Sequence, residues 1–295
     1  MDNREEVKDF LRSRREKVTP EQAGLPVYGL RRVPGLRRGE VAMLAGVSVE
    51  YYTRLERGNL KGVSDSVLEA LAHALRLNDT ERMHLYDLAR AAGPAPAARS
   101  RQREAAPTVR PSVLQIIEGM PELPAFVQNN RLDVLAVNPL GRALYTLMYA
   151  DPTCRANTAR FAFLNPAARQ FYRDWERVTH ATVGALRIEA GKNPNDRELS
   201  NLIGELSTRS DAFRMMWGSH DVHVFREGTK RLHHPVVGDL DLNHETMRLP
   251  DETGLTMAVY SAPAGSAAAD GLKLLASWSA TAAGQVHNAD AGSTS

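Results

Sequence analysis

The 295-residue chain is long for one domain and sufficient for two, with 43% hydrophobic and 24% charged residues, which are ordinary globular values. Its single cysteine, Cys154, excludes an internal disulfide, and no apolar run approaches the roughly 20 residues that cross a membrane. The net charge of +2 neither requires nor excludes nucleic acid. The length therefore favours two domains. Because the first residues lack the apolar segment of a signal peptide, we expect a cytoplasmic protein.

Apolar side chains at helical spacing predict five helices in the first 92 residues. The first covers residues 4–18, and two short helices lie within residues 36–58. The fourth begins near Ser64, with Ser66 and Glu69 fitting a capping box, and Asn78 caps the fifth together with Glu81. We therefore expect an all-α domain of five helices over residues 1–92.

Residues 36–58 contain two short helices joined by Ala45-Gly46-Val47-Ser48. Gly46 can adopt the positive φ of a tight turn, and the Ser48 hydroxyl can cap the second helix. Two helices held at a fixed angle in this way are typical of a helix-turn-helix, whose second helix reads bases in the major groove. Any helical hairpin centred on alanine and glycine gives a similar pattern, but the surrounding arginines favour DNA binding.

Polar and basic side chains surround this motif. Four arginines lie in a stretch from 27 to 39 that has no acidic residue, so they can bind phosphates. The outward side chains of the second helix combine hydrogen-bonding groups with apolar flanks, which suits base edges. The predicted DNA-binding residues are Arg31, Arg32, Arg37, Arg38, Ser48, Val49, Glu50, Tyr51 and Arg54.

The pattern V-A-x-x-A-G-V-S-x-x-x-Y-x-R-L-E-R-G, carried by Val41 to Gly58, resembles the helix-turn-helix of the XRE class of bacterial transcription regulators. The resemblance implies binding to double-stranded DNA at an operator. An isolated helix-turn-helix buries little groove surface, and such proteins present two copies about 34 Å apart to a palindromic site. We therefore expect a homodimer.

Two segments have compositions that do not support a packed core. Residues 93–110 contain prolines, alanines, small polar residues and four arginines, with almost no large apolar side chain, which predicts a flexible linker. Residues 280–295 consist mainly of alanine, glycine and polar residues such as serine and asparagine, without apolar periodicity, which predicts a disordered tail.

The region between these segments mixes helices and strands. A hairpin is predicted around Asn129-Asn130-Arg131. Helices are expected at 112–120, 139–149, 166–190, 196–207 and 211–217, and later strands at 222–225, 230–236, 239–249 and 255–261. This order predicts an α+β domain over residues 111–279 with a mainly antiparallel sheet.

The run His233-His234-Pro235-Val-Val-Gly238-Asp-Leu-Asp-Leu resembles the C-terminal ligand-binding domain of the MmyB-like regulators. The likeness extends to Trp217-Gly-Ser-His220-Asp-Val and to the segment 256–266. It implies a PAS-like α+β domain that binds a small, often lipid-like molecule. The resemblance carries no motif that identifies one ligand or its pocket.

Four side chains at the ends of the predicted strands are candidates for ligand binding because a few polar groups at the mouth of an apolar cavity orient a ligand. They are Trp217, His220, His234 and Tyr260. Each is equally well explained, taken singly, as a core aromatic residue or a hydrogen-bonded histidine.

The histidines also raise the alternative of an enzyme or metal-binding domain fused to a helix-turn-helix. His220, His223, His233 and His234 lie near Asp221 and Glu245 in the sequence, and such side chains bind zinc. In a strand, however, His220 and His223 point to opposite faces, as do the adjacent His233 and His234. We therefore predict no metal ligand and no catalytic residue, and we expect one histidine of each pair to face inward.

The combined interpretation is a cytoplasmic DNA-binding transcription regulator. Its C-terminal domain is expected to sense a small apolar or amphipathic ligand, such as a fatty-acid-like molecule, and no other cofactor is expected.

Overall fold

The computed structural model describes residues 3–26, 33, 35–93, 108–194, 196–219, 227–250 and 254–292. The chain forms two compact units. The first unit comprises Met1–Arg101 and Val183–Val224, and the second comprises Gln102–Thr182 and Phe225–Ser295. Neither unit is therefore one continuous segment of sequence.

Several predictions fall outside the described residues. Arg31, Arg32 and His220 lie there, as do most of the expected linker and the strand expected at 222–225. In the part of the chain that is described, no helix is long and apolar enough to cross a membrane.

Helices make up the first unit. The N-terminal ones are α1 (Asn3–Lys17), α2 (Arg38–Leu44), α3 (Val49–Glu56), α4 (Asp65–Ala74) and α5 (Asp79–Ala92). The five helices predicted for this region are confirmed. Their shared core includes Val7, Phe10, Tyr52, Leu55 and Leu71, all fully buried.

Side-chain caps define where two of these helices begin. Asn78 accepts a hydrogen bond from the Glu81 amide at 2.9 Å, and the Glu81 carboxylate accepts one from the Asn78 amide at 3.0 Å, so the predicted capping box is confirmed. At α4 the cap is Ser64, whose hydroxyl accepts from the Val67 amide. The box expected at Ser66 and Glu69 is wrong, because Ser66 already lies inside the helix.

The second half of α11 (Trp175–Lys192) also belongs to the first unit, together with α12 (Arg197–Arg209) and α13 (Asp211–Gly218). Residues 183–219 were expected within the C-terminal domain, but they belong to the first unit, where the second half of α11 packs beside α1 and α5. Arg187 donates to Glu6 at 2.6 Å. A Cβ added to Gly191 would lie 2.9 Å from the His84 ring, so the glycine permits close approach of α11 to α5.

The second unit is an α+β fold, as predicted. Its helices are α6 (Pro111–Glu118), α7 (Pro139–Leu144), α8 (Thr146–Ala150), α9 (Thr158–Leu164), α10 (Ala168–Phe171), the start of α11 and α14 (Ala267–Gly292), with a 3-10 turn at Pro152–Cys154. Its strands are β1 (Ala125–Gln128), β2 (Val134–Val137), β3 (Glu227–His234), β4 (Gly238–Arg248) and β5 (Thr256–Ser261). Within the described residues they form one sheet of order β2-β1-β5-β4-β3, in which every neighbouring pair is antiparallel.

One face of this sheet carries an aromatic core. Phe126, Tyr145, Phe161, Phe171 and Tyr260 are buried together. Phe161 lies on α9, a helix that was not among those predicted from the sequence. The expected helix at 166–190 is interrupted, because Tyr172 pairs with Leu232 of β3 and separates α10 from α11.

The C-terminal helix α14 continues to Gly292, beyond the expected end near Ala280. The segment that was predicted to be disordered is rich in alanine, which has the highest helix propensity. Lack of apolar periodicity therefore did not prevent the chain from continuing as a helix.

Candidate DNA-binding and ligand-binding sites

The connection between α2 and α3 has the geometry of a helix-turn-helix. Gly46 has a φ of +65°, a conformation that suits glycine because it has no Cβ. The Ser48 hydroxyl accepts a hydrogen bond from the Tyr51 amide at 3.0 Å and caps α3. Both local predictions for this turn are confirmed.

Burial separates the inner and outer faces of the two helices. Val41 and Ala42 of α2 and Tyr52 and Leu55 of α3 are buried. On the opposite face of α3, Ser48, Glu50 and Arg54 are exposed, Val49 is 46% exposed and Tyr51 is half-buried. The structure thus leaves on the outer face the side chains of α3 and its cap that were predicted to contact DNA.

Arg54 and Tyr51 form a pair on this outer face. The Arg54 guanidinium lies over the Tyr51 ring, 4.7 Å from its centroid, a distance at which a cation and an aromatic face attract each other. The contact restricts the conformations of the Arg54 side chain before DNA is bound. Such an arginine is suited to bidentate hydrogen bonds with guanine in the major groove.

The two described arginines before the motif differ in their surroundings. Arg37 is exposed where α2 begins, and its backbone amide donates to Glu40 at 2.6 Å. Arg38 forms an ion pair with Glu56, which is buried and also accepts from Arg15 at 2.7 Å. Arg38 therefore stabilises the fold of the motif through Glu56, and it is also exposed at a position where it could contact a phosphate.

Further residues, which were not among those predicted, lie beside α3. A shallow depression of about 490 Å³ is lined by Val49, Glu50 and Arg54 and also by Arg4, Thr53, Arg57 and Asn59. Thr53 lies four residues after Val49, and Arg57 lies seven after Glu50, so helical spacing could have identified both.

Arg4 reaches this depression from α1, 45 positions before Val49 in the chain, and only the tertiary structure places it there. Gly58 explains the close approach. Its φ is +91°, and a Cβ at this position would overlap the backbone carbonyl of Arg4.

The predicted ligand-binding residues are divided between the units. Trp217 belongs to the first unit, where it stacks on Phe213 with ring centroids 5.5 Å apart. Its other neighbour is Arg187, whose guanidinium lies 4.3 Å from the Trp217 ring centroid. His234 and Tyr260 belong to the second unit. Trp217 is therefore explained by packing within the first unit.

The His233 and His234 pair alternates across β3 as expected. His234 is fully buried, with Nε2 3.1 Å from the Ala143 carbonyl oxygen and Nδ1 accepting from the Val236 amide at 3.2 Å. Burial lowers its pKa, so it is neutral, and both ring nitrogens are occupied by backbone groups. His233 is exposed and lies 2.6 Å from Asp239.

Tyr260 lies in a buried group of polar side chains that were not predicted to be neighbours. Its hydroxyl lies 2.7 Å from that of Tyr145 and accepts a hydrogen bond from the Lys230 ammonium at 3.1 Å. His244 packs against the same ring, with centroids 5.0 Å apart. Alternation along β3 and β4 could have put Lys230 and His244 on the inner face, but the pairing of strands is needed to bring them to Tyr260.

The described residues contain no group of three or more histidine, cysteine, aspartate or glutamate side chains that could hold a metal ion. His220 and His223, which suggested the metal alternative, are outside them. Cys154 is buried, and burial together with Asp151 raises its pKa to about 12. This thiol is therefore protonated and has little nucleophilic character.

Comparison with protein families gives two matches. Residues 109–275, more than half of the chain, match the family model of the MmyB-like transcription regulator ligand binding domain. Residues 9–85 match a helix-turn-helix domain, which contains α2 and α3. The first of these is a domain of transcription regulators. No curated protein matches the chain.

Proposed function

The chain belongs to the MmyB-like transcription regulators and joins a helix-turn-helix domain to a ligand-binding domain, and from this we propose that a small apolar or amphipathic molecule controls its binding to a specific operator in the cytoplasm. The observation that carries the DNA part is the outer face of α3, where exposed polar side chains flank an arginine held over Tyr51. This face combines hydrogen-bonding groups with a cation, as readout in the major groove requires.

The proposed roles of the DNA-binding residues follow from their positions. Val49, Glu50, Tyr51 and Arg54 contact base edges, while Arg31, Arg32, Arg37 and Ser48 contact the DNA backbone. Arg38 holds Glu56 and assists at a phosphate. Arg4 and Arg57, which line the depression beside α3, extend the phosphate contacts. Two copies of the chain bind the half-sites of a palindrome.

This assignment is tested by separating specificity from affinity. Selection from a random-sequence DNA library supplies an operator, and binding to it and to random DNA is then measured over a range of salt concentrations. Arg54→Ala should remove the preference for the operator. Arg37→Ala should weaken binding to both DNAs and reduce the salt slope by roughly one unit, since one phosphate contact is lost.

Arg12→Ala is the matched control, because Arg12 is an exposed arginine on α1 that pairs with Glu16. This variant should change neither the ratio of operator binding to random-DNA binding nor the salt slope. An Arg54→Ala variant with an unchanged ratio of operator to random binding would contradict the role proposed for α3.

The ligand part of the proposal rests on the matched domain and on its construction, a sheet covered by helices rich in apolar side chains. We assign a lipid-like ligand to it, with Tyr260 and His234 near the bound molecule. Binding is expected to alter the contact between the two copies of the dimer, and with it operator affinity.

A series of fatty acids of increasing length tests this assignment. Each buried methylene should contribute about 0.8 kcal/mol, so the thermal shift of the full chain should increase with length until the site is full. Operator affinity should change in parallel. A thermal shift independent of chain length would argue against an acyl site, and a length-dependent shift without any change in operator affinity would argue against a sensor.

A further inference from the structure

The outer face of α3 carries two opposite charges four residues apart. Glu50 lies in the first turn of the helix and Arg54 in the last, and both side chains are exposed. At this spacing a glutamate and a following basic residue commonly form an ion pair on a helix surface. Here the Arg54 guanidinium instead lies over the ring of Tyr51, 4.7 Å from its centroid. Within the described residues the two charges therefore remain unpaired with each other.

The Glu50 carboxylate is surrounded by cations. It lines the depression beside α3 together with Arg4, Arg54 and Arg57, yet among the described residues it has no hydrogen-bond or ion-pair partner. Because DNA phosphates repel a carboxylate, this side chain lowers affinity for DNA of every sequence unless a base edge donates a hydrogen bond to it. Glu50 is therefore suited to selecting bases and not to strengthening binding in general.

The major groove offers a carboxylate few partners. It presents hydrogen-bond donors on cytosine N4 and adenine N6. On adenine the donor lies beside the N7 acceptor, which would face the second carboxylate oxygen, whereas the cytosine edge carries no acceptor. Cytosine is therefore the base that suits Glu50.

Arg54 has the opposite requirement. Its guanidinium has five donors and no acceptor, and guanine presents two acceptors, N7 and O6, on its major-groove edge. The contact with Tyr51 limits the conformations of the guanidinium, so less freedom is lost when two parallel hydrogen bonds form. Guanine is therefore the base that suits Arg54.

The geometry of the helix sets the distance between the two contacts. Four residues of α-helix advance about 6 Å along its axis, and successive base pairs are about 3.4 Å apart. When α3 lies along the major groove, Glu50 and Arg54 reach base pairs that are about two steps apart.

We propose that each half of the operator contains two G·C base pairs about two steps apart, one read at its cytosine by Glu50 and the other at its guanine by Arg54. Tyr51 is a positioning residue that keeps Arg54 from pairing with Glu50. The inference rests on the proposed DNA-binding function and specifies the sequence that the same face recognises.

The test is selection from a random-sequence DNA library by the full chain, followed by affinity measurements on operators changed at one base pair at a time. The wild type should select two G·C pairs at this spacing in each half-site. Changing either pair to A·T should weaken binding about tenfold or more, since one good base contact gives between about 5- and 150-fold discrimination. Replacing the guanine read by Arg54 with 7-deazaguanine, which lacks the N7 acceptor, should also weaken binding.

Two substitutions assign the base pairs to the residues. Because glutamine forms two hydrogen bonds with adenine, Glu50→Gln should change the preferred base from cytosine to adenine at one pair only, and Arg54→Gln should change it from guanine to adenine at the other pair only. Glu50→Gln should also bind random DNA more tightly, since a negative charge is removed. Tyr51→Leu should weaken both preferences, whereas Tyr51→Phe, which keeps the ring, should retain them.

Glu198→Gln is the matched control, since Glu198 is an exposed glutamate in the first turn of α12. It should leave every base preference unchanged. The selection and the 7-deazaguanine measurement use the wild type and do not depend on the folding of any variant.

Each outcome supports or overturns the proposal. Two G·C pairs at this spacing, each altered by one substitution only, support it. A selected half-site without such pairs overturns it, and so does a Glu50→Gln variant that weakens binding to all sequences alike, the result expected if Glu50 only stabilises the start of α3. Both results leave the proposed function intact. A wild type that selects no sequence overturns the proposed function as well.

Discussion

The two units of this protein bury their polar groups in different forms. In the first unit they are charged pairs: Arg15 with Glu56, Arg14 with Glu81 at 2.5 Å and Arg187 with Glu6. In the second unit they are mainly neutral, and examples are the Tyr145–Tyr260 hydroxyls, the Asn138 amide and His234.

The difference has consequences for stability. Removing one member of a buried ion pair leaves an uncompensated charge and costs about 3–5 kcal/mol, whereas losing one neutral hydrogen bond costs about 1 kcal/mol. In the first unit the ion pairs also fix orientation, since Glu56 of α3 holds both Arg15 of α1 and Arg38 of α2. We therefore expect the DNA-binding helices to be the more sensitive to single charge deletions.

Arg187→Met should have the largest effect. Arg187 is fully buried, pairs with Glu6 and lies over the Trp217 ring. Its removal should lower the free energy of opening of the first unit by about 3–5 kcal/mol, measured by hydrogen exchange of peptides from α1 and α5. The double variant Glu6→Gln, Arg187→Met should recover a large part of the loss.

Arg209→Met provides the comparison, because Arg209 is an exposed arginine on α12 that pairs with Glu205. Its effect should stay below about 1 kcal/mol. If the Arg187 and Arg209 variants lost the same free energy of opening, burial would not make the Arg187–Glu6 pair more important for stability than an exposed pair.

Asn138→Ala should have the second largest effect and tests whether a neutral group can approach the charged pairs in importance. Its Oδ1 accepts from the amides of Ala125 and Gly141, and its Nδ2 donates to three backbone carbonyls. Several buried backbone groups lose a partner together, so we expect a loss of about 2–4 kcal/mol. Exchange of β1 peptides measures it, and the exposed Asn243→Ala should change stability by less than about 0.5 kcal/mol.

Tyr145→Phe should have a smaller effect, because one hydroxyl is removed while the aromatic core keeps its shape. The expected loss is about 1 kcal/mol. A double-mutant cycle with Tyr260→Phe should give a coupling energy of similar size, from denaturant unfolding followed at the second unit. A coupling near zero would mean that the 2.7 Å contact contributes nothing to stability.

Cys154 should show no reactivity in the folded chain. Its pKa is raised to about 12 by burial and by Asp151, so at pH 8 the group is the protonated thiol and not the nucleophilic thiolate. A disulfide reagent should label it at pH 8 only after denaturant unfolds the second unit. Rapid labelling of the native protein would contradict both the burial and the raised pKa.

Local patterns in the sequence determined much of the helix-turn-helix. Gly46 and Ser48 act within one turn of backbone, and the faces of α2 and α3 follow from a period of 3.6 residues. Alternation along a strand likewise predicted that one of His233 and His234 faces inward, and the structure shows that His234 is the buried one. Local patterns also predicted the hairpin of β1 and β2 and the α+β composition of the later region.

Only the tertiary structure decided what depends on residues far apart in the chain. The buried Glu56 engages Arg38, and Gly58 lets α1 bring Arg4 beside α3. Residues 183–219 join the N-terminal helices through contacts such as Arg187 with Glu6. Lys230, His244 and Tyr260 meet through the register of three strands. These outcomes depend on which surfaces pack and which strands pair, and no local periodicity carries that information.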